Sequence, residues 1–171
     1  VNPTPTGGGI FFVLVFSMLS IFYNSNLFLY LLPIAFIGFI DDKFNLPSFI
    51  RYITQLITAY LIFKESNFSE ILNAYSLNIF FEIFIILFFI FCGTALINFV
   101  NFMDGLIGSC FFVLFLTLSN IQTLETLILA GTLLGFLPYN YSPAKLFMGD
   151  VGSTFIASYT ISILFNNQSI Y

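Results

Sequence analysis

Ile83-Phe84-Ile85-Ile86-Leu87-Phe88-Phe89-Ile90-Phe91 is the stretch that decides the fold class. Its apolar residues follow one another without the period-two alternation of a half-buried strand. A helix carrying them is apolar on every side, and such a helix needs an apolar surrounding, either a large core or lipid. The rest of the chain settles which. Only 7% of the 171 residues are charged and 59% are hydrophobic, whereas a soluble domain covers its surface with about a quarter charged residues. A mean hydropathy of +1.02 points the same way. The outer surface is therefore expected to meet membrane lipids. Lipid offers backbone polar groups no partner except one another, which makes the spans helices.

Working outward, seven apolar segments are separated by polar breaks, at 8–23, 27–40, 47–63, 78–97, 108–119, 124–138 and 151–165. The expected fold is an all-α, polytopic transmembrane helix bundle. Several segments fall short of the ~20 residues of a perpendicular span, which a packed bundle tolerates by thinning the bilayer around it. One integral membrane domain is expected over 1–171. The chain opens at Val1 within a polar, proline-rich stretch, and further spans are expected before and after it.

Alternating the segments across a bilayer puts loops 1–7, 41–47, 98–107 and 139–150 on one face. Lys43, Arg51 and Lys145 lie on that side and Lys64 on the other, which makes the first face cytoplasmic by the positive-inside rule. The acids divide more sharply. All four aspartates, Asp41, Asp42, Asp104 and Asp150, gather on the cytoplasmic face, while Glu65, Glu70, Glu82 and Glu125 lie on or near the other. Histidine is absent, so proton transfer and metal ligation fall to carboxylates, lysine or tyrosine. With no tryptophan, the interfacial belt falls to Tyr23, Tyr30, Tyr52, Tyr60 and Tyr139. Cys92 and Cys110 lack metal-ligand spacing and read as free packing residues. The few basic residues make no footprint for nucleic acid.

Four polar clusters share the cytoplasmic face. Asp41-Asp42-Lys43 closes the second segment, and adjacent carboxylates suit a shared cation or a base as well as they suit a solvated helix end. Asn98, Asn101 and Asp104 recur every third residue, a polar stripe of hard oxygen donors leaving the bilayer just before Gly105. Asn140 to Asp150 precedes the last segment. Its Phe147 either stacks on a base or touches lipid, and Asp150 begins a helix whose free amides favour an anion. Gly7-Gly8-Gly9 opens the first segment, where bare backbone can approach a phosphate or simply turn.

The motifs Pro3-Thr4-Pro5-Thr6-Gly7-Gly8-Gly9, Gly38-Phe39-Ile40-Asp41-Asp42, Asn98-Phe99-Val100-Asn101-Phe102-Met103-Asp104-Gly105 and Phe147-Met148-Gly149-Asp150-Val151-Gly152-Ser153 follow in that order. Together they resemble the polyprenyl-phosphate N-acetylhexosamine-1-phosphate transferases, glycosyltransferase family 4, over essentially the whole chain. Gly135-Phe136-Leu137-Pro138-Tyr139-Asn140 is more similar to the O-antigen-initiating branch than to the peptidoglycan branch. Ile107 stands where the family often has a second aspartate. The resemblance implies a multi-pass enzyme of the bacterial inner membrane with its active site on the cytoplasmic face. It would transfer a sugar-1-phosphate from a UDP-N-acetylhexosamine to undecaprenyl phosphate and release UMP, using Mg2+ or, in its place, Mn2+. It implies Asp150 and Asp104 at the metal, and Asn98, Asn101, Gly105, Asn140 and Phe147 around the nucleotide sugar. Asp41 and Asp42 would lie near the lipid phosphate, one of them orienting or deprotonating it. A homodimer is compatible with this reading. A degenerate homologue and a transporter are the alternatives, the transporter disfavoured because Glu82, its candidate inside a segment, lies close to the segment's end rather than near the midplane.

Overall fold

A computed structural model describes residues 4–23, 27–75, 78–103 and 124–166. The described residues form seven α-helices and no strand: α1 Gly9–Phe22, α2 Leu27–Phe44, α3 Ser48–Lys64, α4 Asn67–Ala74, α5 Ile79–Phe102, α6 Leu124–Asn140 and α7 Gly149–Phe165. Six of the seven expected segments are helices. The segment at 108–119 lies outside the described residues, as do Cys110 and Ile107.

Two differences from the sequence reading are informative. α4 occupies part of the 64–77 stretch expected as a loop. Ser66 starts it, its hydroxyl accepting from the Ser69 N–H at 3.4 Å and donating to the Phe63 carbonyl at 2.5 Å. Asn166, at the end of α7, then accepts the Asn67 N–H at 3.0 Å and ties the short helix down. Secondly, α2, α5 and α6 run past the ends of their apolar segments, so Asp41, Asp42, Asn98, Asn101 and Asn140 stand on helix rather than in loops. Backbone hydrogen bonding does not stop where hydrophobicity does.

α7 is the central helix: every residue from Val151 to Ser162 is buried. Small and hydroxylated side chains allow this. Thr154, Ser158 and Thr160 each donate to the carbonyl four residues back, and Ser162 to that of Tyr159, at 2.7–2.8 Å, so these four α7 hydroxyls are satisfied within their own helix. α1, α2, α3 and α5 all pack on α7, and α6 packs against α1. Phe16 meets Phe155 and Tyr159 edge-on with ring centroids 5.4 and 5.3 Å apart, locking α1 to α7. At the far end Phe63, Phe68, Phe89 and Phe165 make a second aromatic knot.

The outside of the bundle is apolar. Phe80, Phe84, Phe91 and Phe102 along α5 are exposed, Phe102 at 86%. By length and composition α5 is long and apolar enough to cross a membrane, alone among the described helices; α1 is apolar but shorter. Cys92 is free, as expected, but it lies exposed on α5 and does not pack into the core, because its side of that helix has no neighbour among the described residues.

Candidate functional site

The start of α1, the end of α2, the start of α3, the end of α5, the end of α6 and the start of α7 meet at one end of the bundle. The alternation of the chain dictates this, and hydrogen bonds fix it. The segment before α1 pairs with the segment before α7: Phe147 donates its N–H to the Pro5 carbonyl at 2.9 Å, and Gly8 and Gly9 donate to the carbonyls of Phe147 and Met148 at 2.9 and 2.8 Å.

α2 approaches α7 where Gly38 offers no side chain. A Cβ there would lie 2.6 Å from the Asp150 carbonyl oxygen and 2.8 Å from the Val151 Cα. One turn later Asp42 reaches the N-terminus of α7. Its Oδ1 accepts the Asp150 N–H at 2.8 Å and its Oδ2 the Val151 N–H at 3.2 Å. Burial raises the Asp42 carboxyl above its usual range, the two backbone hydrogen bonds pull it back, and the neighbouring charge of Asp41 lifts it again.

Asp41 turns to α3 instead. Its Oδ1 accepts the Leu46 N–H at 2.6 Å, and its Oδ2 lies 3.0 Å from Arg51 Nη1. The same guanidinium nitrogen stands 3.4 Å from Asp150 Oδ2, so Arg51 bridges two carboxylates 109 positions apart in the chain. Asp150 is pushed up to about 7: burial is the main cause, then contact with Asp41 and its charge, then the charge of Asp42, while a hydrogen bond from Asn101 lowers it. Asn101 in turn accepts a short hydrogen bond from the Ser153 hydroxyl, joining α5 to the first turn of α7. Asp41 and Asp150 therefore share one guanidinium, while Asp42 is held by the backbone of α7. Lys43 lies over the Phe44 ring, 5.6 Å from its centroid.

A cavity of about 420 Å³ opens beside Arg51 between α3 and α5, lined by Ser48, Phe49, Arg51, Tyr52, Gln55, Asn98 and Asn101. Gln55 is buried and accepts the Asn98 amide at 2.6 Å. On the α6 side, Asn140 is buried, donates to the Leu146 carbonyl at 3.3 Å, and its side-chain oxygen has no partner among the described residues. Phe147 is half-buried, its backbone fixed by the pairing with Pro5 and Gly8.

Of the residues singled out in the sequence, the structure thus brings together Asp41, Asp42, Asp150 and Asn101, with Asn98 along the adjoining cavity. Asn140 and Phe147 flank the loop that leads into α7. Asp104 and Gly105 lie outside the described residues. Two members of the cluster escaped the sequence reading. Arg51 served there only as a sidedness marker, and Gln55 went unremarked. The available signal was their spacing of four on an otherwise apolar helix, which sets both on one face. Among the described residues no group of three or more acidic, cysteine or histidine side chains converges closely enough to hold a metal unaided.

The family model described as glycosyl transferase family 4 matches residues 24–166. The chain is also 32% identical over 203 residues to a phospho-N-acetylmuramoyl-pentapeptide-transferase of Staphylococcus haemolyticus, an alignment covering 96% of the chain and 63% of that protein. The protein of the same description from Prochlorococcus marinus is 32% identical over 201 residues, with 96% of the chain and 56% of the relative covered. The chain thus spans less than two thirds of the length of these curated relatives.

Proposed function

The chain belongs to glycosyl transferase family 4, and we propose that it moves a sugar-1-phosphate from a UDP-N-acetylhexosamine to undecaprenyl phosphate, releasing UMP and initiating a cell-envelope glycan. The observation that carries this reading is the convergence of Asp41, Asp150, Asn101 and Arg51, from α2, α7, α5 and α3, at one end of a bundle with an apolar exterior. We read the bundle as multi-pass in the bacterial inner membrane, with this end cytoplasmic. An apolar carrier held in the bilayer and a soluble nucleotide meet only at such an end.

In the transfer, an oxygen of the lipid phosphate attacks the phosphorus that bears the sugar. The bond from that phosphorus to the oxygen of UMP breaks, and UMP leaves with the electron pair. Arg51 is the cation placed to hold the incoming phosphate, in a cavity whose rim of Phe49 and Tyr52 suits the start of a prenyl chain. A phosphate monoester is largely dianionic near pH 7. Asp41 therefore has mainly to hold Arg51 and to accept the residual proton. Asn98 and Asn101 offer amides to the diphosphate, and Asn140 and Phe147 offer a hydrogen-bonding edge and a ring to uracil.

The donor set at Asp150 suits magnesium. Mg2+ typically takes one or two carboxylates and completes its shell with water and substrate phosphates, so the lack of an all-protein cage is no obstacle. Asp150, with Asn101 beside it and Asp104 as a further ligand, would hold Mg2+ or Mn2+, which when bound would neutralise the diphosphate.

The test is direct. Membranes containing the full-length protein are incubated with undecaprenyl phosphate, Mg2+ and radiolabelled donor, using UDP-N-acetylglucosamine in one arm and UDP-N-acetylmuramoyl-pentapeptide in the other. Label should enter the organic extract with stoichiometric UMP, and Asp150→Asn should abolish it. The donor that works decides between the O-antigen branch, suggested by residues 135–140, and the peptidoglycan branch. Label that crosses the membrane but stays water-soluble would mean transport instead.

A further inference from the structure

Adjacent aspartates at the end of α2 have diverged to different neighbours, and the difference assigns them different work. The backbone at the N-terminus of α7 needs a cap, since its own flanking residue, Met148, supplies no side-chain hydrogen bond. Asp42, from another helix, supplies it by accepting the N–H groups of Asp150 and Val151 on its two oxygens. Gly149 is shaped to let it in. Its φ of +71° is left-handed, and a Cβ there would sit 2.5 Å from Asp42 Oδ2.

We propose that Asp42 is a positioning residue that caps α7 from outside and so sets the place of Asp150, taking no part itself in proton transfer or metal ligation. This rests on the phosphotransfer reading above. Both oxygens are engaged with backbone, and a carboxylate at a helix N-terminus is held by the dipole as well as by the hydrogen bonds. Asp41 lacks this engagement: one of its oxygens faces Arg51 beside the cavity.

Rescue by a conservative variant separates this role from direct chemistry. Asn caps helices about as well as Asp but cannot act as a carboxylate base or a charged ligand. In full-length protein purified in detergent, Asp42→Asn should keep kcat within about tenfold of wild type, because a cap is only weakened. Asp42→Ala should lose about a hundredfold, the cost of displacing a reacting group by about 1 Å. Gly149→Ala, which crowds the carboxylate without removing it, should lose as much as Asp42→Ala. The KM for undecaprenyl phosphate should hardly move in any of the three. An Asp42→Asn protein as dead as Asp42→Ala, both down by more than about 10³-fold while wild type turns over, would overturn the proposal and make Asp42 a reacting group. A wild-type protein with no transfer at all would instead sink the phosphotransfer reading.

Discussion

Substituting Gly38 by alanine tests the close approach on which the whole site depends. The added methyl meets only backbone: the Asp150 carbonyl oxygen at 2.6 Å, its carbon at 2.7 Å and the Val151 Cα at 2.8 Å. None of these atoms can swing aside, and carbon atoms keep roughly 3.5–4.0 Å between them. Helices α2 and α7 must therefore part by about 1 Å. That displacement acts first on Asp42, one turn along the same face of α2, whose 2.8 Å bond to the Asp150 N–H stretches past hydrogen-bonding range. Overpacking of this kind costs about 1–3 kcal/mol, and misplacing a reacting group by ~1 Å costs about a hundredfold in turnover. Gly131→Ala on α6 is the control. Among the described residues nothing lies within 4 Å of its Cβ position, so alanine should add about 0.8–1.0 kcal/mol of helix propensity and leave turnover alone. The thermal midpoint by fluorescence-detected size exclusion and the rate of lipid-linked product report the two effects. Gly38→Ala matching wild type in both would refute the α2–α7 approach.

Two further predictions concern the charges. The Asp150 carboxyl sits at about 7, above its ordinary 3.8. Its contribution to stability is therefore complete below about pH 4 and is lost as pH climbs through 7. Without divalent cations the protein should melt lower at pH 8 than at pH 5. Mg2+ should recover the difference at pH 8 and do little at pH 5, where it competes with the proton, and Asp150→Asn should flatten both responses. Equal midpoints at the two pH values would contradict the assignment. Arg51→Gln leaves buried Asp41 without its cation. Because the guanidinium side chain is 38% exposed, water screens the loss, and the cost should be about 1–2 kcal/mol rather than the 3–5 of a fully buried pair. The KM for undecaprenyl phosphate should rise at least tenfold (roughly 1.4 kcal/mol). Arg51→Lys should restore only part, since an ammonium lacks the guanidinium fork.

What the sequence could show was decided by range. Hydropathy placed the helices because an apolar run is a local property, and alternation then put Asp41, Asp42, Asn98, Asn101 and Asp150 at one end before any contact was known. It could not say which neighbour each would find. Asp41 and Asp42 are adjacent in the chain, yet on a helix consecutive side chains point about 100° apart, so one meets α3 and the other α7. Reading the pair as one unit was the natural limit of a linear view. Arg51 was hidden for the converse reason. Its identity as bridge exists only once residues 41, 51 and 150 are in contact. Gln55 was closer to legible, because an amide inside an apolar helix is costly unless partnered, and Asn98 proves to be that partner. α4 was missed because eight residues carry too little periodicity to stand out. Its start comes instead from the Ser66 cap and the tie of Asn67 to Asn166.

On the proposed function, the charge balance of the site would favour the substrates and a metal binding there together. Two carboxylates share one guanidinium at the mouth of an apolar bundle with Asp42 beside them, and below about pH 7 a proton on Asp150 relieves the repulsion. A phosphate arriving alone would add negative charge and would have to take Arg51 away from Asp41 and Asp150. A divalent cation arriving alone would displace the proton but leave Arg51 committed to both acids. With a cation and a diphosphate bound, Asp150 would carry its charge without Arg51, leaving Arg51 for the second, lipid-borne phosphate. Each partner thus makes room for the next. The binding of magnesium–donor complex and of lipid phosphate should therefore be mutually reinforcing, a coupling that must be reciprocal between the two and that Arg51→Gln, by removing the shared cation, should abolish.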